Sequence, residues 1–183
     1  MTRLIHISIL FLLTSNCLFA QDKNSLVKDI RSKYTEIRNN IDSYDTTMID
    51  FFDESTEGAV AIAYCNNKEL KLIEIIWYGE IGKHQIDYYF NYGRLIFAFE
   101  QEFNYNLPIY WDKKRAKENG DDEAFDHDKT TVKEDRYYFN NGKLFLWLDN
   151  EKKEKNITNG DNSIVGKELI AQCYKLKNKL KIK

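Results

Sequence analysis

The stretch "DDEAFDHD" holds the one local concentration of metal-type ligands in the chain: Asp121, Asp122, Glu123, Asp126, His127 and Asp128. Hard cations take several oxygen ligands, so a calcium ion could be bound by such a run. The run lacks the spaced ligands and mid-loop glycine of an EF-hand, however, and charge runs of this kind are ordinarily solvated. Two histidines outside the N-terminal twenty residues offer themselves as bases, His84 and His127. His84 opens an expected strand just after "EIGK" and reads as a solvent-facing turn residue. His127, among carboxylates, is favoured in its charged form, a poor start for a general base at neutral pH. No G-x-S-x-G elbow, phosphate loop or H-E-x-x-H helix is present. No catalytic residue, metal site or cofactor is therefore expected from motifs, and catalysis rests on scattered carboxylates alone.

Aromatic side chains are the more informative class, with 12 Tyr, 11 Phe and 3 Trp. Such rings give large, rigid contact area at low entropy cost, which suits recognition of proteins or sugars. Tyr105, Tyr110, Trp111, Tyr138 and Trp147 are the candidate binding residues, the first three lying in "YNLPIYW" around the single proline, Pro108. For the strand residues the alternative is cross-strand and core packing. Cys65 and Cys173 follow the first twenty residues as an even pair. They can form a disulfide, worth roughly 4 to 5 kcal/mol for a loop of about a hundred residues, or pack as two buried free thiols. No close Cys or His pair makes a zinc signature.

These side chains need a scaffold, and the chain begins with a segment that is not part of one. "MTRLIHISILFLLTSNCLFA" has one positive charge, Arg3, an apolar run around Leu10 to Leu13 and a small residue, Ala20, before "QDKN". That is the pattern of a signal peptide over residues 1–20. A membrane anchor needs about 20 predominantly apolar residues, and this run is interrupted by His6 and by Thr14, Ser15 and Asn16. Lipidation at Cys17 is a second route, although Asn16 stands where a lipoprotein signal has a small residue. Removing residues 1–20 leaves 26 basic against 29 acidic side chains, so no basic field draws the protein to nucleic acid. Residues 21–183 are expected to form one domain with a real core and no transmembrane segment.

Within that domain Leu26, Ile30, Tyr34, Ile37, Ile41 and Tyr44 recur at helical spacing, with Asn24 as a candidate cap. After "DESTEG" come "AVAIAYC", "LKLIEIIWY", "HQIDYYFN", "RLIFAFEQEF", "VKEDRYYFN" and "KLFLWLD", aromatic and β-branched runs without proline. Short polar turns separate most of them, which favours hairpins over crossovers; "TMIDFF" can add a seventh strand. "YYFNYGRLIF" from Tyr88 returns 49 residues later as "YYFNNGKLFL" from Tyr137. Counting outward from its two-residue turn pairs Asn140 with Lys143, Phe139 with Leu144, Tyr138 with Phe145 and Tyr137 with Leu146. The same register in the first copy pairs Asn91 with Arg94, Phe90 with Leu95 and Tyr88 with Phe97. Alternation then sets Ile86, Tyr88, Phe90, Leu95, Phe97 and Phe99 on one side, with Asp87 and Glu100 opposite. In the second copy Tyr138, Phe145 and Trp147 share a side that is either covered by another element or exposed for contact. The small-residue face Ala59, Ala61, Ala63 and Cys65 invites a close helix. A long loop is expected over 104–131, functional or mobile, and Leu169, Cys173, Leu176 and Leu180 predict a C-terminal amphipathic helix. For the last nine residues an edge strand or a frayed end fits as well. The expected fold is α+β: an N-terminal and a C-terminal helix packed on an antiparallel β-meander of six or seven strands.

"DESTEG", "YGEIGKHQIDYYFNYGRLIFAFEQEFNYNLPIYWD" and "EDRYYFNNGKLF" together resemble a group of exported bacterial proteins without an established activity. The resemblance spans roughly the middle half of the chain and carries no site residue with it. Export, aromatic surplus and missing catalytic motifs lead to one expectation: a non-catalytic binding or interaction module of the periplasm or cell surface of a Gram-negative bacterium, inhibitor- or immunity-like, with a protein or glycan partner. The alternative is an envelope hydrolase or metal-binding protein using the acidic loop 121–128. A purely structural envelope component is a third reading.

Overall fold

The computed structural model describes residues 23–51, 55 and 57–182. The expected signal peptide and Cys17 lie outside the described residues. The chain divides between Asn39 and Asn40 into two compact units.

In the first unit, residues 23–39 form helix α1. Asn24 stands within it rather than capping it. The apolar stripe is real, with Ile30 and Ile37, seven residues apart, its buried positions. Lys33 pairs with Glu36 at 2.6 Å, one turn on. Ile41, expected in the same helical stripe, lies instead in a 3-10 turn, Ile41–Ser43, in the second unit.

The second unit is a seven-stranded antiparallel meander in strict chain order. Its strands are β1 (Asp45–Phe51), β2 (Ala59–Asn66), β3 (Glu69–Gly79), β4 (Gly82–Asn91), β5 (Arg94–Asn104), β6 (Thr131–Asn140) and β7 (Lys143–Leu148). Strand order follows from connection length: four of the six joins are turns of two residues, which reverse the chain and allow nothing but an adjacent antiparallel partner. The α+β class and the meander match the sequence expectation.

Register departs from it in an instructive way. Asn91 does face Arg94 and Phe90 faces Leu95, but Tyr89 faces Phe97 and Tyr88 faces Ala98. In the second copy Phe139 faces Leu144, while Tyr138 faces Leu146 and Tyr137 faces Trp147. A β-bulge leaves Ile96 and Phe145 without opposite residues, and every side chain beyond it changes face. Trp147 therefore shares a face with Tyr137, and Phe97 with Tyr89 and Asp87. Glu100, placed opposite the core by simple alternation, lies on the same face as Ile86 and Tyr88.

The same device occurs a third time. Asn66 faces Glu69, Cys65 faces Leu70 and Tyr64 faces Leu72, with Lys71 bulged. "YCNNKELKL", "YFNYGRLIF" and "YFNNGKLFL" are one hairpin written three times, beginning at Tyr64 and returning after 25 and then a further 49 residues. All three turns hold positive φ at both central positions: Asn67 and Lys68, Tyr92 and Gly93, Asn141 and Gly142. That is the type I′ turn, whose twist suits flanking strands. The three tips lie side by side at one end of the sheet, tied by Tyr92 N donating to Glu69 Oε1 at 3.0 Å and Arg94 Nη1 to Asn141 Oδ1 at 3.4 Å.

Helix α3 (Asn162–Lys179) buries Gly166, Leu169, Cys173 and Leu176 along one stripe. With Leu180 they close a core over Ala59, Ala61, Ala63, Ile73, Ile75, Ile86, Tyr88, Ala98 and Tyr137. The small-residue face of β2 thus belongs to the helix-covered side, as expected, and residues 175–179, for which an edge strand fitted as well, are helical. Contact is close enough that a Cβ on Gly166 would lie 2.6 Å from Leu144 Cβ, so glycine is required there despite its cost of about 1 kcal/mol in a helix. Cys65 and Cys173 are free thiols on this face; the bridge between them is not formed. Burial pushes the Cys173 thiol up to about 12 against the opposing effect of Lys177.

Residues 105–130, expected as a plain loop, carry structure of their own. Helix α2 (Lys113–Asn119) starts where Asp112 accepts from Arg115 N at 2.8 Å and stops at Gly120, φ 76°. A 3-10 turn, His127–Lys129, is capped by Asp126. Asn106 pins the two ends together, donating to Ala124 O and accepting from Asp126 N, both at 3.0 Å.

Candidate functional site

The five binding residues proposed from sequence do not converge. Tyr138 is buried inside the sheet against Phe97, ring centroids 4.9 Å apart, and is core. Trp147 is half-buried beside Tyr137, and its indole N–H is committed to Asp135 at 2.6 Å. Tyr105, Tyr110 and Trp111 do share the long connection. Tyr105 meets Phe125 edge-on at 5.5 Å, and its N–H donates to Ile81 O at 2.9 Å. Trp111 accepts from Phe125 N at 2.7 Å through its carbonyl. Tyr110 hydrogen-bonds Glu80 and lies under the Arg115 guanidinium at 5.3 Å.

These ties bring the connection against the β3–β4 turn and create a patch. Ile81 is 62% exposed, Ile109 56%, Tyr110 50% and Tyr78 40%. Four large apolar side chains from segments about 30 residues apart thus face water at the end of the sheet away from the hairpin tips. Tyr105 lies beneath them; burial, then the nearby Tyr78, push its hydroxyl up.

A second group was missed from sequence. On the face that α3 covers, the apolar rows of β4, β5 and β6 each end in a polar residue beyond the helix: His84, Glu100 and Asp135. Glu100 faces Asp135 across the strands, and His84 follows Ile86 in the row below. His84 Nε2 lies 2.6 Å from Glu100 Oε1, and Tyr137 O–H donates to Glu100 Oε2, also at 2.6 Å. Burial pushes the Glu100 carboxyl up, but the hydrogen bonds from His84 and Tyr137, with the charge of His84, outweigh it and hold it below its ordinary value. An ionised Glu100 can only accept, so the proton between the two is on Nε2. Trp77 stacks on the imidazole, centroids 5.2 Å apart and planes 21° apart. Asp135 is pushed the other way, above its ordinary value, by burial first and then by Glu100 and Asp149, against the Trp147 hydrogen bond and Lys155.

The acidic run 121–128 does not assemble. Asp126 is spent as a cap, Glu123 pairs with Lys129 at 3.1 Å, and His127 is exposed. Among the described residues no three His, Cys, Asp or Glu side chains are placed to hold a metal ion. Nor, among them, is any helix long and apolar enough to cross a membrane. No protein-family model, curated protein or solved structure matches the chain.

Proposed function

We propose that this is an exported, non-catalytic binding module of the bacterial cell envelope that engages a protein partner in the manner of an inhibitor or immunity protein. The observation that carries the reading is the patch of Tyr78, Ile81, Ile109 and Tyr110, four exposed large side chains gathered at one end of the sheet. Burying such a patch yields about 25 cal/mol per Å² of apolar area, and tyrosine serves at interface centres because it is apolar with a polar tip. Export rests on the signal-peptide pattern and the resemblance to exported proteins. The alternative built on loop 121–128 has less support, because its carboxylates are solvated or used as local caps.

The test compares two forms of the protein in cross-linked envelope extract. Tyr110→Ala with Ile109→Ser removes the patch centre at exposed positions, so the melting temperature should hold. A stoichiometric partner captured by the native form and lost by the variant is the expected result. Capture that is unchanged in the variant removes the patch from the reading.

A further inference from the structure

Helix α3 and the hairpin tips frame a groove at the end of the sheet away from the Tyr78 patch. Its first chamber, about 420 Å³, is lined by Phe90, Leu95, Phe139, Ile170, Cys173 and Tyr174, with the exposed Arg94 beside them. The second, about 370 Å³, lies against Leu144, Ile157, Gly166 and Ile170. Gly142 and Ile170 belong to both, so the chambers are continuous. Phe90 and Phe139 are buried beneath the groove, while Leu95, Leu144, Ile157 and Ile170 are left half-buried along it. Apolar walls with a few polar groups, around a few hundred Å³, are what small-molecule sites offer.

The charges at the first chamber are of one sign. Arg94 Nη1 donates to the neutral Asn141 amide at 3.4 Å, and the Lys177 ammonium lies 5.8 Å from the centres of both the Phe90 and the Tyr174 rings. Among the described residues neither cation has a carboxylate partner. Residues 170, 173, 174 and 177 fall on one stripe of α3, so Lys177, over Phe90, closes the same end of the groove as Arg94. Lys143 and Lys167, exposed beside the second chamber, lend it their aliphatic stems and keep their charges in water. From Phe90 on β4 to Leu144 on β7 the groove crosses three strand spacings, or about 14 Å. Half of a bilayer's hydrocarbon core, about 15 Å, is the reach of a single acyl chain. The two lengths match.

We propose that this groove binds one free fatty acid of medium chain length, its carboxylate held by Arg94 and Lys177 and its alkyl chain laid beside α3 toward Leu144 and Ile157. The guanidinium fork suits a carboxylate, which it can meet with two parallel N–H bonds. A peptide fits less well, because its backbone N–H and C=O groups would face apolar walls without partners. The site shares no residue with the patch of Tyr78, Ile81, Ile109 and Tyr110, so it stands or falls apart from the protein-binding reading.

Isothermal titration of the purified protein with octanoate, decanoate, dodecanoate and tetradecanoate, each below its micelle concentration, tests the length. Affinity should rise about fourfold per methylene up to dodecanoate, the scale of burying one such group, and level off beyond it, with one acid bound per chain. Methyl dodecanoate should bind roughly tenfold or more weakly than the acid, the scale of a lost charge-assisted hydrogen bond. Arg94→Gln, at an exposed position, should bring dodecanoate down toward the level of the ester. No binding, affinity indifferent to chain length, an ester that binds as well as the acid, or dodecanoate binding that Arg94→Gln leaves intact each overturns the proposal. The ester comparison needs no variant, so it decides even where the substitution disturbs folding.

Discussion

At the scale of single residues the Glu100 cluster has a measurable pH signature. A carboxyl whose folded value is depressed contributes stability above its unfolded value and loses it as pH falls through the folded one. The ordinary value here is 4.5, so Glu100 should destabilise the fold on acidification below about pH 4.5. Tyr137→Phe deletes one of the two bonds to its carboxylate and should raise its titration midpoint, moving the onset of acid unfolding to higher pH; urea titrations from pH 3 to 7 would show it. An unchanged onset would mean that His84 alone holds the carboxylate. Asp135, whose carboxyl is raised, works in the opposite sense and relaxes as it protonates. None of this was legible from spacing: His84, Glu100 and Asp135 are 16 and 35 residues apart and meet only through strand pairing. The signal that could have found them is a polar residue at the end of an apolar i, i+2 row in three neighbouring strands.

At the scale of elements, two-residue turns explain what sequence did disclose. "NG" and "YG" announce a hairpin because positive φ at both central positions is required. Tyr92 is the misfit, a bulky residue at φ 49° and 83% exposed. An L-residue pays about 1 to 2 kcal/mol in the left-handed region, and asparagine pays less. Tyr92→Asn should therefore stabilise the fold by about 1 kcal/mol in chemical denaturation, leaving the backbone bond to Glu69 intact; destabilisation would show that the ring has a packing role. Strand order, strand limits and the C-terminal stripe were readable because hydrophobic period and turn chemistry agree. The faces beyond the bulges at Ile96 and Phe145 were not, because those bulges carry no glycine or proline to mark them. The likeness of the Asn67-Lys68 hairpin to the other two was hidden because lysine takes the place of glycine in its turn.

At the scale of the sheet unit, the distribution of contacts along the chain is unusual for a β protein. Each strand pairs with its neighbours in sequence, whereas α3 reaches back to the middle of the sheet, as in Tyr88 to Gln172. Leu176 is buried in that late-arriving interface. Leu176→Ala should cost about 2 to 5 kcal/mol, and stopped-flow kinetics should find most of it in faster unfolding. Slower folding by the same amount would place the helix in the nucleus instead. Local pairing keeps loop-closure entropy low, so the meander closes as a zipper does, one strand onto the last. The helix that covers Ala61, Ile73 and Tyr88 is made only after all seven strands. Until it docks, a finished sheet stands with its greasiest face open, and that half-built molecule is the one most exposed to aggregation.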